Sequence, residues 1–225
     1  MPATSPVAID QGPRGSFQRQ EILLVTERML AKRGFDGIRL RDVSSEAGVS
    51  IGMIQHYFVT RDDLVRETLE HASIRRAENW TDSAAAAVDG PAKVRALLLD
   101  AVADRERCTI WIETCAAASR YEELRALTTR TTNVWRDALR QAIEAGVAEG
   151  HFAPRAPVGR IVDILVGLID GMMMEVAIQN KDYTLDYINS LLLEVASGQL
   201  GTRYELVPGD TQRQVEFSDR ASPGD

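Results

Sequence analysis

Apolar residues recur at intervals of three and four along most of this chain, and no segment alternates apolar and polar residues as a strand does. The first such segment runs from Ser16 to Gly34 and places its apolar residues on one helical face. Further helices are predicted over residues 61–80, 91–103, 105–119, 121–150, 157–180 and 184–198. The pattern therefore predicts an all-α fold without internal repeats.

The segment from Leu40 to Leu64 is predicted to contain shorter helices than the rest of the chain. Val43 and Ala47 are four residues apart and lie on one face of a first short helix. Gly48 follows where this helix must stop and where a positive φ suits glycine. Two short helices joined by a glycine turn, with a longer helix after them, are typical of a helix-turn-helix reader of DNA.

The second short helix begins at Ser50, whose hydroxyl can accept a hydrogen bond from the free N–H groups of the first turn. Its predicted inner side consists of Val49, Met53, Ile54 and Phe58. Its predicted outer side consists of Ile51, Gly52, Gln55, His56 and Tyr57. An amide, an imidazole and a phenol beside a glycine are poorly suited to burial, so we expect this side to enter a groove.

The third helix of this segment has a strong start signal. Thr60 and Asp63 have the spacing of a capping box, and Val59 with Leu64 has the spacing of a hydrophobic staple. The helix is expected to continue to about Trp80, before an Ala-rich break over residues 84–91.

Composition places the chain among globular proteins of one or two domains, since 44% of its 225 residues are hydrophobic. The most apolar stretch, residues 161–178, contains Asp163, Asp170 and Glu175 and is too polar to span a bilayer. No basic segment followed by an apolar stretch opens the sequence. We therefore expect a cytoplasmic protein with no membrane partner.

The net charge of −7 argues against nucleic acid when it is taken alone. Its distribution changes that interpretation, because residues 1–66 carry nine Lys/Arg against eight Asp/Glu, a net charge of +1. The remaining residues carry a net charge of −8. This asymmetry fits a small DNA reader attached to an acidic body.

No motif indicates an enzyme. Residues 48–52 match Gly-x-Ser-x-Gly, but a helix is predicted before the serine and there is no sheet to carry a triad. The histidines His56, His71 and His151 lack metal-site spacing, and no glycine-rich phosphate loop occurs, so neither metal nor cofactor is predicted. The non-enzymatic alternative to a DNA reader is a helical protein–protein interaction module.

The two cysteines, Cys108 and Cys115, lie seven residues apart within a helical pattern. In a cytoplasmic protein we expect them to be unpaired, small apolar side chains. A thiol redox switch is the alternative, and the nearby Arg105 and Arg107 are the one feature that favours it.

The N-terminal part resembles the tetracycline-repressor (TetR) family of bacterial transcriptional regulators. The motifs that carry the resemblance are Gly34-Phe35, Leu40-Arg41-Asp42-Val43, Ala47-Gly48-Val49-Ser50, His56-Tyr57-Phe58 and Arg61-Asp62-Asp63-Leu64. The sequence departs from the family at Arg39, where most members have Thr or Ser, and at Gln55, where most have an aromatic residue. The second departure suggests a different operator.

The C-terminal part resembles the betaine-regulator (BetI-like) branch of that family. The residues concerned are Arg107, Trp111-Ile112-Glu113, Trp135, Glu149-Gly150-His151-Phe152 and Leu168-Ile169-Asp170-Gly171-Met172. This resemblance implies a dimer and a helical ligand-binding body, but not the identity of the ligand.

Together these features divide the chain into four parts. Residues 1–15 are predicted to be a disordered tail, 16–62 the three-helix DNA-binding domain, 63–200 the effector-binding and dimerisation domain, and 201–225 a polar tail. The last two helices carry too many apolar residues for one stripe, so each is expected to meet a second surface. A symmetric pairing with a second copy would form a four-helix bundle. The expected interface residues are Ile161, Leu165, Leu168, Leu191, Leu192 and Val195.

The expected partner of the reader is a double-stranded operator with palindromic half-sites. The candidate DNA-binding residues are Arg41, Ser50, Ile51, Gly52, Gln55, His56, Tyr57, Thr60 and Arg61. Gln55 can bond adenine and Ile51 can contact a thymine methyl, whereas Arg41, His56, Tyr57, Thr60 and Arg61 suit phosphates. For Arg61, a weak surface pairing with Asp62 or Asp63 is the alternative.

A small-molecule effector is expected in the body. The candidate pocket residues are Trp111, Glu113, Trp135, Phe152, Asp170, Met172 and Met173. Aromatic faces with a carboxylate would suit a cationic or amphipathic ligand. The alternative is that these residues form ordinary core or dimer interface.

Overall fold

The computed structural model describes residues 13–202. Within that range the chain forms nine α-helices and no strand, which confirms the predicted all-α class. The helices are α1 (Pro13–Arg33), α2 (Leu40–Ala47), α3 (Ile51–Tyr57), α4 (Arg61–Ala85), α5 (Gly90–Ala101), α6 (Arg105–Ala118), α7 (Glu122–Ala148), α8 (Val158–Ala177) and α9 (Leu185–Leu200). A single 3₁₀ turn, Phe35–Gly37, joins α1 to α2. Most of the two predicted tails, residues 1–12 and 203–225, lies outside the described range.

Two helices extend three or more residues beyond one of their predicted ends. α1 begins at Pro13 rather than Ser16, and α4 continues to Ala85 rather than ending near Trp80. Alanine is the strongest helix former, so the Ala-rich run after Ser83 extends α4 before the chain turns into α5.

Local chemistry explains the turns around α3. Gly48 adopts φ 66° and ψ 27°, the left-handed conformation expected at this helix end, and its N–H donates to the Ser44 carbonyl. The Ser50 hydroxyl accepts from the Met53 N–H at 3.1 Å, so its predicted capping role is confirmed. No side chain caps α2 at Arg39. Of the two short helices, α3 is therefore capped by a side chain, whereas the start of α2 depends on other groups.

The predicted capping box of α4 is present, but the predicted staple is not. The Thr60 hydroxyl accepts from the Asp63 N–H at 3.0 Å, and the Asp63 carboxylate accepts from the Thr60 N–H at 3.1 Å. Leu64 is fully buried, whereas Val59 remains 82% exposed. Val59 therefore does not pack on Leu64, because the chain between α3 and α4 turns this side chain towards solvent.

The interior is divided into two cores. The first, which we call the reader core, is built from α1, α2, α3 and the beginning of α4, and includes the predicted Ile54 and Phe58. Met53 was also expected in it, but it is only partly buried. Five residues from beyond α4 complete this core, namely Ile110, Ala117, Ala118, Leu124 and Leu127. The three-helix reader therefore does not close its own core but shares it with α6 and α7.

The second core, which we call the body core, is built from the end of α4 and from α5 to α9. α8 is its most apolar helix, yet no helix between residues 13 and 202 has the length and apolarity needed to cross a membrane. Ile161, Leu165 and Leu192 are fully buried within the single chain. The expectation that these three residues form a dimer interface was therefore wrong, because they face the chain's own core.

The capping box is expected to contribute measurably to folding. Thr60→Ala removes the hydroxyl that accepts from Asp63, and should lower the free energy of unfolding by about 1 kcal/mol in a urea titration. Thr81→Ala in the same helix is the control, because that hydroxyl donates only to the Ala77 carbonyl within the helix. Equal losses for the two variants would contradict a specific cap.

The same cap has a pH signature. Hydrogen bonds from Thr60 hold the pKa of Asp63 below its usual 3.8. Stabilisation from a lowered carboxylate pKa is complete above the unfolded value and is lost as pH falls through the folded value. The stability difference between the parent and Asp63→Asn should therefore stay constant above about pH 5 and shrink below about pH 4.

Candidate nucleic-acid interface and ligand cleft

The outer face of α3 presents four of the predicted residues together. Ile51 is 43% exposed, and Gly52, Gln55 and His56 are also exposed. A Cβ at Gly52 would meet only the Ser50 hydroxyl, at 3.9 Å, so no packing within the chain requires glycine here. An exposed apolar side chain, a bare backbone position and a free amide on one helical face form a surface that can approach base edges closely.

Tyr57 differs from its neighbours because its side chain is only partly exposed. Its side chain packs against the reader core, and its ring lies edge-on to His56 with the centroids 5.2 Å apart. A second ring contact joins it to Phe58 at 6.3 Å. The Tyr57 ring is therefore held in place before any partner arrives.

The polar side chains around α3 that are predicted to contact DNA differ in how available they are to a phosphate. Arg41 has a 68% exposed side chain and only a surface ion pair with Asp42 at 3.6 Å, which is worth little. Ser50 and Thr60 are exposed, and their hydroxyls already accept the capping hydrogen bonds. Of this group, Arg41 is the side chain most available to a phosphate.

Arg61 points inward rather than towards the α3 surface. Its guanidinium donates to the Phe35 carbonyl and to the Ile38 carbonyl, the latter at 3.2 Å, and lies 4.6 Å from the centroid of the Phe35 ring. It also pairs with Asp62 at 2.6 Å, as the alternative interpretation of the sequence expected. Through these contacts Arg61 stabilises the turn between α1 and α2. Contact between Arg61 and a DNA phosphate stays a prediction.

Phe35 is the centre of a contact between reader and body that we call the joint, made of Phe35, Arg61, Glu113, Arg120 and Tyr121. The Phe35 N–H donates to the Glu113 carboxylate at 3.2 Å. Its ring stacks on Tyr121 at 6.0 Å and lies under the guanidinium of Arg120 at 5.6 Å. The joint fastens the turn after α1 to α6 and α7.

Glu113, which was expected in an effector pocket, is thus engaged by the joint and is not among the residues that line the cleft described below. Its partner in the chain is 78 residues away, so no local sequence signal could have revealed the contact. Phe152 is also elsewhere, since its ring covers Gly146, where any Cβ would collide with it. Met172 packs at the edge of the body core.

The remaining candidates meet in one narrow cleft of the body. Trp111, Trp135, Asp170 and Met173 line it together with Arg76, Trp80, Thr132, Val166 and Ile169. The Trp111 indole N–H donates to Asp170 at 3.1 Å. Although Asp170 keeps exposed surface in the single chain, its apolar surroundings raise its pKa, and the bond from Trp111 offsets part of that rise.

Sequence reasoning missed Arg76, the most unusual residue of the cleft. Its side chain donates to the carbonyls of Ala101 at 2.8 Å and Arg107 at 3.1 Å, and lies over the rings of Trp80 and Trp111. Burial lowers its pKa to about 10, so it remains charged at neutral pH. Nothing in the sequence distinguishes Arg76 from the adjacent Arg75, and only the fold shows that Arg76 is buried.

The cysteines do not form a disulfide. Cys108 is buried as expected, whereas Cys115 is exposed, which the apolar-filler interpretation did not predict. Burial raises the pKa of the Cys108 thiol to about 11. The Cys115 residue keeps exposed surface, but desolvation of its thiol by the surrounding residues and the nearby Asp170 raise its pKa to about 11 as well. Both are therefore overwhelmingly protonated at neutral pH, which argues against a reactive thiolate.

Arg61 and Arg41 offer a matched test of structural and surface roles. Arg61→Ala leaves two carbonyls without their donor and should lower the free energy of unfolding by about 1–3 kcal/mol. Arg41→Ala should change it by less than about 0.5 kcal/mol, because its pairing is solvent-exposed. Urea titrations of both variants measure the difference, and similar values would contradict the structural role of Arg61.

Comparison with known proteins gives a consistent match to both halves of the chain. Residues 22–68 match the family described as bacterial regulatory proteins, tetR family, and residues 91–201 match the family described as BetI-type transcriptional repressor, C-terminal. The regulator PksA of Bacillus subtilis is 29% identical over 104 residues, 46% of this chain. The matched region spans about half of that relative, 51% of its length.

Solved structures share the whole fold. A TetR-family regulator from Rhodococcus sp. superposes with a TM-score of 0.67 at 25% identity, covering 82% of this chain and 99% of its own. A regulator from Saccharomonospora viridis, solved in complex with choline, superposes with a TM-score of 0.74 at 21% identity, covering 80% and 95%. At that identity the second structure shows a shared fold only.

Proposed function

This chain belongs to the TetR family of bacterial regulatory proteins, and we propose that it is a dimeric, sequence-specific repressor that a small molecule releases from its operator. The observation that carries the proposal is the exposed outer face of α3, where Ile51, Gly52 and Gln55 project from a well-capped helix. Transcriptional regulation is the activity of the family. Dimerisation, operator reading and release are proposed for this chain.

Base reading is assigned to the side chains that reach out from α3. The Gln55 amide would bond adenine with one donor and one acceptor, and Ile51 would press against a thymine methyl. Gly52 would let the helix backbone approach the bases. Arg41, His56 and Thr60 would contact phosphates, which set orientation rather than sequence.

Dimerisation is assigned to the sides of α8 and α9 that the fold leaves uncovered. On α8, Ile164 and Met174 are 41% and 44% exposed, and Gly167 and Gly171 between them have no atom within 4 Å of a Cβ. These positions follow the three-and-four spacing of one helical face. On α9, the comparable residues are Tyr187, Leu191, Val195 and Gly198.

A second copy of this chain is the occupant that fits these faces. Apolar side chains flanking two glycines allow a helix to pack closely, and two copies of α8 and α9 would form a four-helix bundle. A dimer also places two recognition helices on one side of DNA, about 34 Å apart for adjacent half-sites. The interface therefore moves from the buried Ile161, Leu165 and Leu192 to the opposite stripe, while the partly exposed Leu168, Leu191 and Val195 remain available to it.

Release is assigned to α4 and α6, since each of these helices touches both cores. α6 carries Trp111 in the cleft and, two residues later, Glu113 in the joint. A ligand that shifts α6 would therefore move the turn at Phe35 and change the distance between the two readers. Ligand and operator would then favour different arrangements of the same dimer.

Operator reading is tested by binding to the DNA that flanks the protein's own coding region. Gln55→Ala should relax preference at one base position and cost about 1–3 kcal/mol of discrimination in competition gel shifts. Arg41→Ala is the matched control: it should weaken binding to all duplexes and reduce the salt slope by about one. If Gln55→Ala weakens specific and random DNA equally, Gln55 does not read a base. If the parent binds no specific duplex at low salt, the repressor proposal fails.

The dimer face is tested by Ile164→Asp. Because Ile164 is already exposed in the single chain, the variant should fold and yet run as a monomer in light scattering coupled to size exclusion. Val88→Asp, at a residue that is 91% exposed in the loop between α4 and α5, is the control and should leave the assembly unchanged. A dimeric Ile164→Asp, or a monomeric parent, would rule out this face.

A further inference from the structure

Three hydrogen-bond donors around the cleft have no acceptor among residues 13–202. They are the Arg76 Nε–H and the indole N–H groups of Trp80 and Trp135, and all three residues line the cleft. Each residue is more than nine-tenths buried, at 7%, 5% and 3% exposure respectively. A buried donor without a partner costs about 1–3 kcal/mol, so three beside one another point to a site at which an acceptor binds.

The chemistry of these groups defines what they can bind. Guanidinium and indole nitrogens donate hydrogen bonds and accept none, so a ligand for them must carry acceptor atoms, and carboxylate oxygens are strong acceptors for both groups. The cleft's own carboxylate, Asp170, already accepts from Trp111. A ligand with two acceptor oxygens on one carbon would serve a guanidinium and an indole at the same time.

Charge points to the same class of ligand. Among the described residues no carboxylate lies within ion-pairing distance of Arg76, whose hydrogen bonds go to two carbonyls and the Met173 sulfur. Its guanidinium also lies 5.0 Å from the centroid of the Trp80 ring and 5.8 Å from that of Trp111. Of the aromatic residues expected to attract a cationic ligand, Trp111 therefore already lies beside a cation of the protein itself.

We propose that this cleft opens beyond its present volume of about 20 Å³ and binds a small monocarboxylate with an apolar body. Its carboxylate accepts hydrogen bonds from Arg76, Trp80 and Trp135, while its hydrocarbon part contacts Val166, Ile169 and Met173. The inference rests on the proposed function in taking the cleft as the effector site, and it names the chemical class of that effector. It replaces the cationic ligand that the sequence suggested.

The ligand class is tested on the full chain without DNA. Thermal unfolding and calorimetry are run with butanoate, hexanoate and 3-phenylpropanoate, and in parallel with choline and hexyltrimethylammonium at the same ionic strength. At least one carboxylate should raise the unfolding midpoint saturably with one site per chain, and neither ammonium compound should do so. Stabilisation by choline, or by none of the three carboxylates, overturns the proposal.

Single-atom changes test the donors. Trp80→Phe and Trp135→Phe keep an aromatic ring but remove an unpartnered N–H, so neither should lower the midpoint through loss of a hydrogen bond. Each should weaken carboxylate binding by about tenfold or more, because hydrogen bonds to charged groups are the stronger kind. Unchanged affinity in both variants overturns the donor assignment.

Two further variants complete the set. Trp111→Phe is the matched control for the two tryptophan variants above. Its indole N–H already donates to Asp170, so losing that bond should lower the thermal unfolding midpoint of the ligand-free protein. Arg76→Lys keeps the charge and loses the planar fork, and should abolish carboxylate binding in a protein whose helical circular dichroism is retained. If Arg76→Lys does not fold, the two tryptophan variants decide the outcome.

The two proposals fail separately. Carboxylate binding by a protein that binds no operator would overturn the repressor function and leave the ligand class standing. Operator binding by a protein that none of the three carboxylates stabilises would overturn the ligand class and leave the repressor function standing.

Discussion

The structure depends on one constraint, which is that α4 must satisfy two cores at once. Its first turns place Leu64, Val65 and Leu69 in the reader core, and its later turns place Trp80 in the body core. Between them lies Arg76, buried and hydrogen-bonded to carbonyls of other parts of the chain. Packed interiors resist deformation, so a tilt of this helix in one core must be accommodated in the other.

The joint adds a second connection between the same two regions. Gly34 has φ 69°, and a Cβ there would lie 3.1 Å from the Glu113 carboxylate, so glycine lets the turn approach α6 closely. The Phe35 N–H then reaches that carboxylate, and Arg61 holds the turn from the other side. Reader and body are thus linked through α4, α6 and α7, and these three helices line the cleft together with α8. These linkages would give a ligand in the body a physical route to α3.

Features set by neighbouring residues could be predicted, whereas features that need distant partners could not. The helix pattern, the left-handed Gly48, the Ser50 cap and the Thr60–Asp63 box depend on groups a few residues apart. Val59 fits a local rule but remains exposed, because the path of the chain before α4 overrides that rule. The positions of Glu113 and Arg76 could not be predicted, since their hydrogen-bond partners lie 78 residues and 25 to 31 residues away along the sequence.

For this protein, the sequence by itself determined the all-α class, the helix-turn-helix and the outer face of α3, because helical periodicity and capping are local. Only the tertiary structure decided which apolar side of α8 and α9 remains exposed. It also decided that Arg76 points inward and that the Glu113 carboxylate accepts a hydrogen bond from the turn after α1. Helices that are apolar on several sides have more than one possible packing face, and only the assembled neighbours select among them. The same holds for charge: Arg76 and Arg61 differ from surface arginines only in what the fold places around them.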